Sequence, residues 1–182
     1  MLGDDRIGEI YLAADEIAAR VAELGAEIAR DYAELEPVFV GSLKAGVVFT
    51  VDLSRATGIL HNMDFVEIAG YGPDHETGGH AQIRFLKDLD EEIDGRHVLL
   101  VEEVVDTGLT LNYLTRSFGL RGPASLGVVA LFDRPYRRLV EDLPLRYVGF
   151  TIPDEFFVGY GFDLNERYRN LPDLHVLRPE AA

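Results

Sequence analysis

The chain has 182 residues, of which 47% are hydrophobic and 27% are charged, and its formal net charge is −15. This length and composition predict a single globular domain with a substantial core. The negative charge argues against nucleic acid or an acidic membrane as a partner, and the absence of cysteine excludes disulfides and thiolate chemistry. Because no apolar run could span a bilayer and residues 1–6 do not resemble a secretory signal, we expect a cytoplasmic protein.

The first half of the chain alternates helical and extended patterns. Apolar residues recur at helical spacing over residues 15–31, which predicts an amphipathic helix. A short buried strand is predicted at 37–40, and it leads into the glycine-containing loop 41–46. A helix and then a strand at 65–68 are predicted after this loop.

Residues 70–79 form a glycine-rich loop with few side chains that are able to pack. This composition fits a plain surface loop and a mobile lid equally well. Residues 81–86 are predicted to return as a strand, which would place the loop at the tip of a hairpin.

The second half of the chain carries most of the predicted sheet. A helix is predicted at 111–120, and strands are predicted at 98–101, 126–132, 147–152 and 174–177. Strands that alternate with helices predict an α/β fold with a mainly parallel, twisted sheet flanked by helices. Ligands of such sheets bind beyond the carboxyl ends of the strands. We expect four polar or glycine-rich segments to meet there: 41–46, 102–110, 133–134 and 154–163.

The segment 98–111, VLLVEEVVDTGLTL, carries the most chemical information. Its buried strand is followed, at the expected strand end, by three carboxylates and then by a threonine- and glycine-containing turn that starts a helix. Backbone N–H groups of such a turn bind phosphate. The neighbouring acids bind ribose hydroxyls directly or through a divalent metal. The segment therefore suggests a ribose-phosphate site.

Other interpretations of this segment compete. Solvated acids and a turn that only caps a helix would also explain the pattern when it is taken alone. Asp-Thr-Gly occurs in aspartic proteases as well, but those need two such aspartates on an all-β scaffold, and this chain has one copy between a strand and a helix. Since the acids would repel a phosphate, the ribose-phosphate interpretation predicts dependence on Mg²⁺.

Three segments resemble the motifs of purine phosphoribosyltransferases of the hypoxanthine–guanine family. The segment 98–111 resembles the ribose-phosphate motif, VGSLKAG at 40–46 resembles the pyrophosphate loop, and VGFTIPDEFFVGYGFDLNERYRNLP at 148–172 resembles the purine-binding hood. The resemblance implies the type I phosphoribosyltransferase fold in one domain over 1–182. It also implies a core at about 35–150, a small hood from about 10–30 and 150–182, and a flexible lid loop.

The implied reaction transfers phosphoribose from 5-phosphoribosyl-1-pyrophosphate to N9 of hypoxanthine or guanine. It gives IMP or GMP and pyrophosphate, a step of purine salvage, with Mg²⁺ as the implied cofactor and a homo-oligomer, dimer or tetramer, as the implied assembly. A non-catalytic nucleotide sensor or regulator on the same fold is the competing function. A regulator that acts on DNA or RNA would need a basic surface, which this acidic chain lacks, so we favour an enzyme.

The resemblance also implies roles for individual residues. Asp106 is the candidate general base or electrostatic stabiliser near purine N7, and Tyr71 lies on the lid that closes over the reacting centre. Ribose and 5′-phosphate are assigned to Glu102, Glu103, Asp106, Thr107, Gly108, Leu109 and Thr110. Pyrophosphate is assigned to Lys44, Ala45 and Arg169, with a cis peptide bond expected between Leu43 and Lys44. The purine is assigned to Arg134, Phe156, Phe157 and Asp163, and the metal to Glu102, Glu103 and Asp163.

Four positions depart from the pattern that the family implies. Glu103 stands where the family usually has Asp, and Gly70 stands where it has Ser. Ala45 replaces the usual Gly, and Arg134 replaces the usual Lys. Because arginine offers a planar donor fork, the preference among hypoxanthine, guanine and xanthine is left open. The five histidines show no ligand-like spacing, and we interpret Arg137 and Arg138 as a solvated pair.

Overall fold

The computed structural model describes residues 5–68 and 84–178. The three α-helices are α1 (Ala14–Tyr32), α2 (Val47–Thr57) and α3 (Leu109–Gly119), and Pro135–Arg137 form a short 3₁₀ helix. The strands are β1 (Ile7–Leu12), β2 (Val38–Leu43), β3 (Asn62–Ile68), β4 (Phe85–Lys87), β5 (His97–Val105), β6 (Ser125–Asp133), β7 (Leu145–Thr151), β8 (Phe157–Val158) and β9 (Leu174–Leu177).

The central sheet has six strands in the order β4-β3-β2-β5-β6-β7. Strands β3, β2, β5, β6 and β7 are mutually parallel, and β4 pairs with β3 in the antiparallel sense. Strands β1, β9 and β8 form a separate antiparallel sheet. The predicted α/β fold with a mainly parallel sheet is therefore confirmed.

Alternating residues of the central strands build one core on each face of the sheet. Phe39, Leu99 and Val129 belong to the core that includes residues of α1 and α2. Val38, Val98 and Val128, each one position earlier, belong to the core that includes residues of α3. Because both faces are covered by helices, the inner strands are apolar on both sides, as is usual for parallel sheets.

The structure differs from the predicted elements mainly at β5. The strand was expected to end at 101, yet it continues to Val105, so Glu102 and Glu103 lie inside it rather than beyond its end. The reason is that the pairing with β6 continues, with Glu102 opposite Ala130 and Val104 opposite Phe132. Strands β1 and β8 were not predicted from the sequence.

The hairpin expected at 81–86 is described only in part. Strand β4 begins at Phe85 and pairs with β3, as a returning strand should. The glycine-rich loop, with Gly70 and Tyr71, lies outside the described residues. None of the described helices is long and apolar enough to cross a membrane.

Candidate active site

The parallel strands bring the predicted polar segments to one edge of the sheet. A cavity of about 270 Å³ opens there, between the loop after β2, the end of β5 and the chain that follows β8. It is lined by Ser42, Leu43, Lys44, Ala45, Gly46, Val66, Ile68, Glu102, Glu103, Val104, Thr110, Asp163 and Arg169. A second cavity of about 170 Å³ shares Glu102, Val104 and Thr110 with the first and extends over Asp106, Thr107 and Gly108.

The loop after β2 is a tight turn that starts α2. The Gly46 N–H donates to the Ser42 carbonyl at 3.0 Å, and a Cβ at Gly46 would lie 2.7 Å from that oxygen, so only glycine fits. The Leu43–Lys44 peptide bond is cis, as expected. The exposed Lys44 ammonium lies 3.2 Å from Glu166 Oε1, which ties this loop to the hood segment.

Glu102 lies on β5 and faces the cavity, and its carboxylate accepts one hydrogen bond. The Ser42 hydroxyl donates to Glu102 Oε1 at 2.6 Å. Burial raises the pKa of the Glu102 carboxyl to about 7, and the Ser42 hydrogen bond opposes this shift only in part. A cation bound beside Glu102 would oppose the effect of burial and lower this pKa.

Glu103 is the most unusual acid of the site, because its side chain is 2% exposed and neither carboxylate oxygen has a hydrogen-bond partner among the described residues. Burial raises the pKa of Glu103 well above its ordinary value; Arg169 lowers it, whereas Asp163 and Glu102 raise it further. The close approach of Gly161 is possible only without a Cβ, which would overlap Glu103 Oε1.

Asp163 and Arg169 close the cavity opposite β5. Arg169 Nη2 lies 2.7 Å from Asp163 Oδ1, and Arg169 Nη1 donates to the Gly161 carbonyl at 2.9 Å. The second oxygen of Asp163 accepts from the Glu166 N–H at 2.8 Å. Arg169 is thus fixed with its guanidinium lining the cavity, while its Nε has no partner among the described residues.

Residues 106–110 connect the end of β5 to α3. Gly108 has φ +81°, and a Cβ there would lie 2.8 Å from Leu143 Cδ1, so the turn requires glycine. The N-cap residue of α3, Gly108, has no side chain, and the Leu109 N–H donates only a long hydrogen bond of 3.4 Å to the Thr107 hydroxyl. Uncapped N–H groups at a helix start attract anions, so this turn suits a phosphate.

Arg134 and the two phenylalanines form the remaining part of the site. Arg134 is 8% exposed, donates from Nη2 to the Glu155 carbonyl at 2.7 Å, and lies 5.7 Å from the centre of the Phe157 ring. The Phe157 ring packs on Tyr11, with the ring centres 5.1 Å apart. Phe156, in contrast, is 66% exposed. The exposed ring of Phe156 is therefore the one that is free to stack on a ligand.

The three acids assigned to a metal share the cavity but are not already grouped around one point. Among residues 5–68 and 84–178, no three acidic or histidine side chains are close enough to hold a metal ion. The chemistry of the donors still suits Mg²⁺, because Glu102, Glu103 and Asp163 offer hard carboxylate oxygens and those of Glu103 have no other partner in this part of the chain.

The interpretation of Arg137 and Arg138 as a solvated pair was wrong for Arg138, whereas Arg137 is exposed but lies beside two acids. Arg138 forms an ion pair with Asp133, and its side chain is only 14% exposed. Arg137 Nε lies 2.9 Å from Asp106 Oδ1, and its Nη1 lies 2.9 Å from Asp154 Oδ1. The position of Arg137 at the carboxyl edge, just after β6, was the available signal, since functional side chains gather at that edge.

Comparisons with known proteins agree with this geometry. The family described as "Phosphoribosyl transferase domain" matches residues 8–165. The chain is 39% identical to hypoxanthine-guanine phosphoribosyltransferase of Bacillus subtilis (strain 168), over 95% of this chain and 94% of that protein. It is 45% identical to hypoxanthine phosphoribosyltransferase of Salmonella typhimurium, over 90% of this chain and 92% of that protein.

Solved structures show the same relationship. A hypoxanthine phosphoribosyltransferase from Staphylococcus aureus superposes with a TM-score of 0.90 at 35% identity, covering 99% of this chain and 98% of that one. The enzyme from Trypanosoma cruzi in complex with the product IMP superposes with a TM-score of 0.88 at 38% identity, covering all of both chains. The chain therefore belongs to the phosphoribosyltransferase family and, within it, to the hypoxanthine-guanine phosphoribosyltransferases.

Proposed function

We propose that this protein transfers phosphoribose from 5-phosphoribosyl-1-pyrophosphate to N9 of hypoxanthine or guanine. In this reaction the bond from C1′ to the pyrophosphate oxygen breaks, and pyrophosphate leaves with the electron pair. The bond from C1′ to N9 forms, and the purine gives up one proton. The main support is the pair of adjoining cavities at the carboxyl edge, which bring together the turn at 106–110, the loop at 42–46 and Arg169. The chain's relatives are also named for this activity.

The phosphate-binding roles follow from the positive and N–H-rich parts of the site. The turn formed by Asp106, Thr107, Gly108, Leu109 and Thr110 would bind the 5′-phosphate through its backbone and the start of α3. Pyrophosphate would lie between the loop carrying Lys44 and Ala45 and the guanidinium of Arg169. The ribose hydroxyls would face Glu102 and Glu103.

Magnesium fits the acids that line the same cavity. Glu102, Glu103 and Asp163 would hold the ion, which when bound would neutralise the charge that builds up on the departing pyrophosphate. Without a cation, the ionised carboxylates of this cavity would repel the pyrophosphate that Arg169 attracts. The assignment of Mg²⁺ therefore also explains how a strongly acidic cleft accepts a polyanionic substrate.

The purine would lie beside Arg134. A guanidinium carries donors only, so this side chain selects a base with an acceptor such as the 6-oxo group and disfavours the 6-amino group of adenine. Phe156 would stack on the ring, and the backbone of Phe157 would read its edge. Asp106 would accept the purine proton or stabilise it near N7.

Five further assignments belong to the proposal. The chain would form one domain with a core at about 35–150 and a hood from about 10–30 and 150–182. It would act in the cytoplasm as a homo-oligomer, a dimer or a tetramer, without nucleic acid or membrane partners. Tyr71, which is assigned to a lid over the reacting centre, lies outside the described residues.

A direct assay tests the proposed function. The protein is mixed with 5-phosphoribosyl-1-pyrophosphate, Mg²⁺ and one of hypoxanthine, guanine, xanthine or adenine, and nucleotide formation is followed. We expect turnover with a 6-oxopurine and none with adenine, and loss of turnover when the metal is chelated. Nucleotide binding without turnover of any base would contradict the enzyme and support a nucleotide sensor.

A further inference from the structure

The segment that follows β6 holds Asp106 from both sides. The Arg134 N–H donates to the Val105 carbonyl at 3.0 Å, and the Leu139 N–H donates to the Thr107 carbonyl at 2.9 Å. These two hydrogen bonds attach residues 134–139 to the backbone directly before and directly after Asp106. The position of the Asp106 backbone is therefore coupled to the position of this segment.

Arg137 lies in the middle of this segment and reaches the Asp106 side chain. Its Nε lies 2.9 Å from Asp106 Oδ1 as an ion pair without hydrogen-bond geometry, and its Nη1 donates a hydrogen bond to Asp154 Oδ1 at 2.9 Å. The 3₁₀ turn that carries it is closed by the Arg137 N–H, which donates to the Arg134 carbonyl at 3.1 Å. One guanidinium thus joins the carboxylate at the end of β5 to a carboxylate in the segment after β7.

The energetic consequence concerns orientation more than stability. The side chains of Arg137, Asp106 and Asp154 are 39%, 36% and 59% exposed, so solvent screens both ion pairs and their contribution to folding is small. The planar guanidinium nevertheless restricts the rotamers of both carboxylates, because it faces Asp106 with one nitrogen and donates a hydrogen bond to Asp154 with another. Without Arg137, Asp106 would have no charged partner at this distance among the described residues, and its side chain would be free to turn toward solvent.

We propose that Arg137 is a positioning residue that holds the Asp106 carboxylate toward the purine and that Asp154 in turn holds Arg137. This inference rests on the proposed transferase function. The same short segment then carries Arg134, which reads the base, and Arg137, which aims the group that handles the base's proton. A displacement of the segment would change base recognition and proton handling together.

The test compares Arg137→Ala with the wild type under saturating Mg²⁺. Since Arg137 touches Asp106 rather than a substrate, we expect kcat to fall about 10-fold while KM for both substrates changes less than about twofold. Arg137→Lys, which keeps the charge but not the fork, should recover part of kcat. Asp154→Ala should lower kcat in the same direction but by less.

Arg146 provides a matched control at the opposite edge of the sheet. It lies at the start of β7, its side chain is 49% exposed, and it forms an ion pair with Asp31 at 2.7 Å. Arg146→Ala removes an exposed ion pair together with contacts to the Tyr32 and Tyr147 rings, so its melting temperature should fall by more than that of Arg137→Ala, with kcat unchanged. The melting temperature of Arg137→Ala should stay close to that of the wild type.

A double-mutant cycle separates positioning from a general structural role. In an Asp106→Asn background, where the carboxylate is absent, Arg137→Ala should change kcat by less than about twofold. An unchanged kcat for Arg137→Ala in the wild-type background would overturn the proposal. If Arg137→Ala lowered kcat by the same factor in the wild-type and Asp106→Asn backgrounds, the proposal would also be overturned. If the wild type itself forms no nucleotide, the proposed function fails first, and this inference fails with it.

Discussion

Two buried carboxylates on the central sheet have opposite surroundings. Asp64 on β3 is 6% exposed and Glu103 on β5 is 2% exposed. Asp64 accepts hydrogen bonds from four donors, the Lys87 ammonium and the backbone N–H groups of Phe65, Asp90 and Glu91. Neither oxygen of Glu103 has a hydrogen-bond partner in the part of the chain that the structure describes.

The pKa values of the two acids follow from this difference. Burial alone would raise the pKa of Asp64, but its donors outweigh burial and the pKa lies below the ordinary 3.8. Burial raises the pKa of Glu103 well above 4.5, and Arg169 opposes this shift only in part. A satisfied buried acid stabilises a fold, whereas an unsatisfied one destabilises it, so the surroundings of Glu103 support its proposed role in holding a cation.

The largest expected effect comes from removing the charge of Glu103. In Glu103→Gln we expect kcat to fall at least about 100-fold, because a charge that acts on the reacting groups is lost. The melting temperature should stay the same or rise, because a buried unpaired carboxylate disappears. Steady-state kinetics and thermal unfolding check this pair of results. A variant that loses stability and keeps its rate would show that Glu103 is structural.

The same comparison predicts the opposite result at Asp64. Asp64→Ala leaves the Lys87 ammonium and three backbone N–H groups without their acceptor, which should lower the free energy of unfolding by about 2 kcal/mol. The kcat per folded molecule should change less than about twofold. Urea unfolding, together with kinetics well below the melting temperature, measures both quantities. Equal losses of rate at Asp64 and Glu103 would remove the distinction between the two acids.

The pH dependence of stability sharpens the comparison further. Glu102 titrates near 7 when folded and near 4.5 when unfolded, so between these values the folded state binds more protons and the free energy of unfolding falls as pH rises. From pH 7.5 to 5.5, without metal, the wild type should gain on the order of 1 kcal/mol relative to Glu102→Gln. Asp64 has a lowered pKa, so its contribution is lost only as pH falls below about 3.8. If the free energy of unfolding changed with pH in the same way for the wild type and for Glu102→Gln, this account would be contradicted.

The smallest expected effect concerns the choice of base. Arg134→Lys replaces a planar fork by a point charge beside Phe157 and Phe162. We expect the ratio of kcat/KM between guanine and xanthine to change about fivefold, with Arg116→Lys on the exposed face of α3 as the unchanged control. An unchanged ranking of the bases would show that Arg134 does not read the purine.

Much of the central sheet could be predicted because its strands are apolar on both faces. The strand of 126–132 matches β6 to within one residue at each end, since a continuous apolar run leaves few alternatives. The end of β5 could not be predicted in this way. Glu102 and Glu103 interrupt the apolar pattern, but the backbone stays paired with β6, and that pairing depends on a distant segment.

The candidate site shows the same division between local and distant information. The cis peptide bond after Leu43 and the glycine at position 108 belong to short motifs that are visible in the sequence. The contact of Arg137 with Asp106 joins residues that are far apart in sequence, and adjacent arginines are usually solvated. Strand β8 has only two residues, too few to carry a periodic signal.

A crystal structure with IMP and Mg²⁺ tests the central claim most directly. The account predicts that the 5′-phosphate lies against residues 106–110, that the purine stacks on Phe156, and that Glu103 acquires a partner through the metal or its bound water. A nucleotide bound away from this turn, with Glu103 still unpaired, would contradict the account.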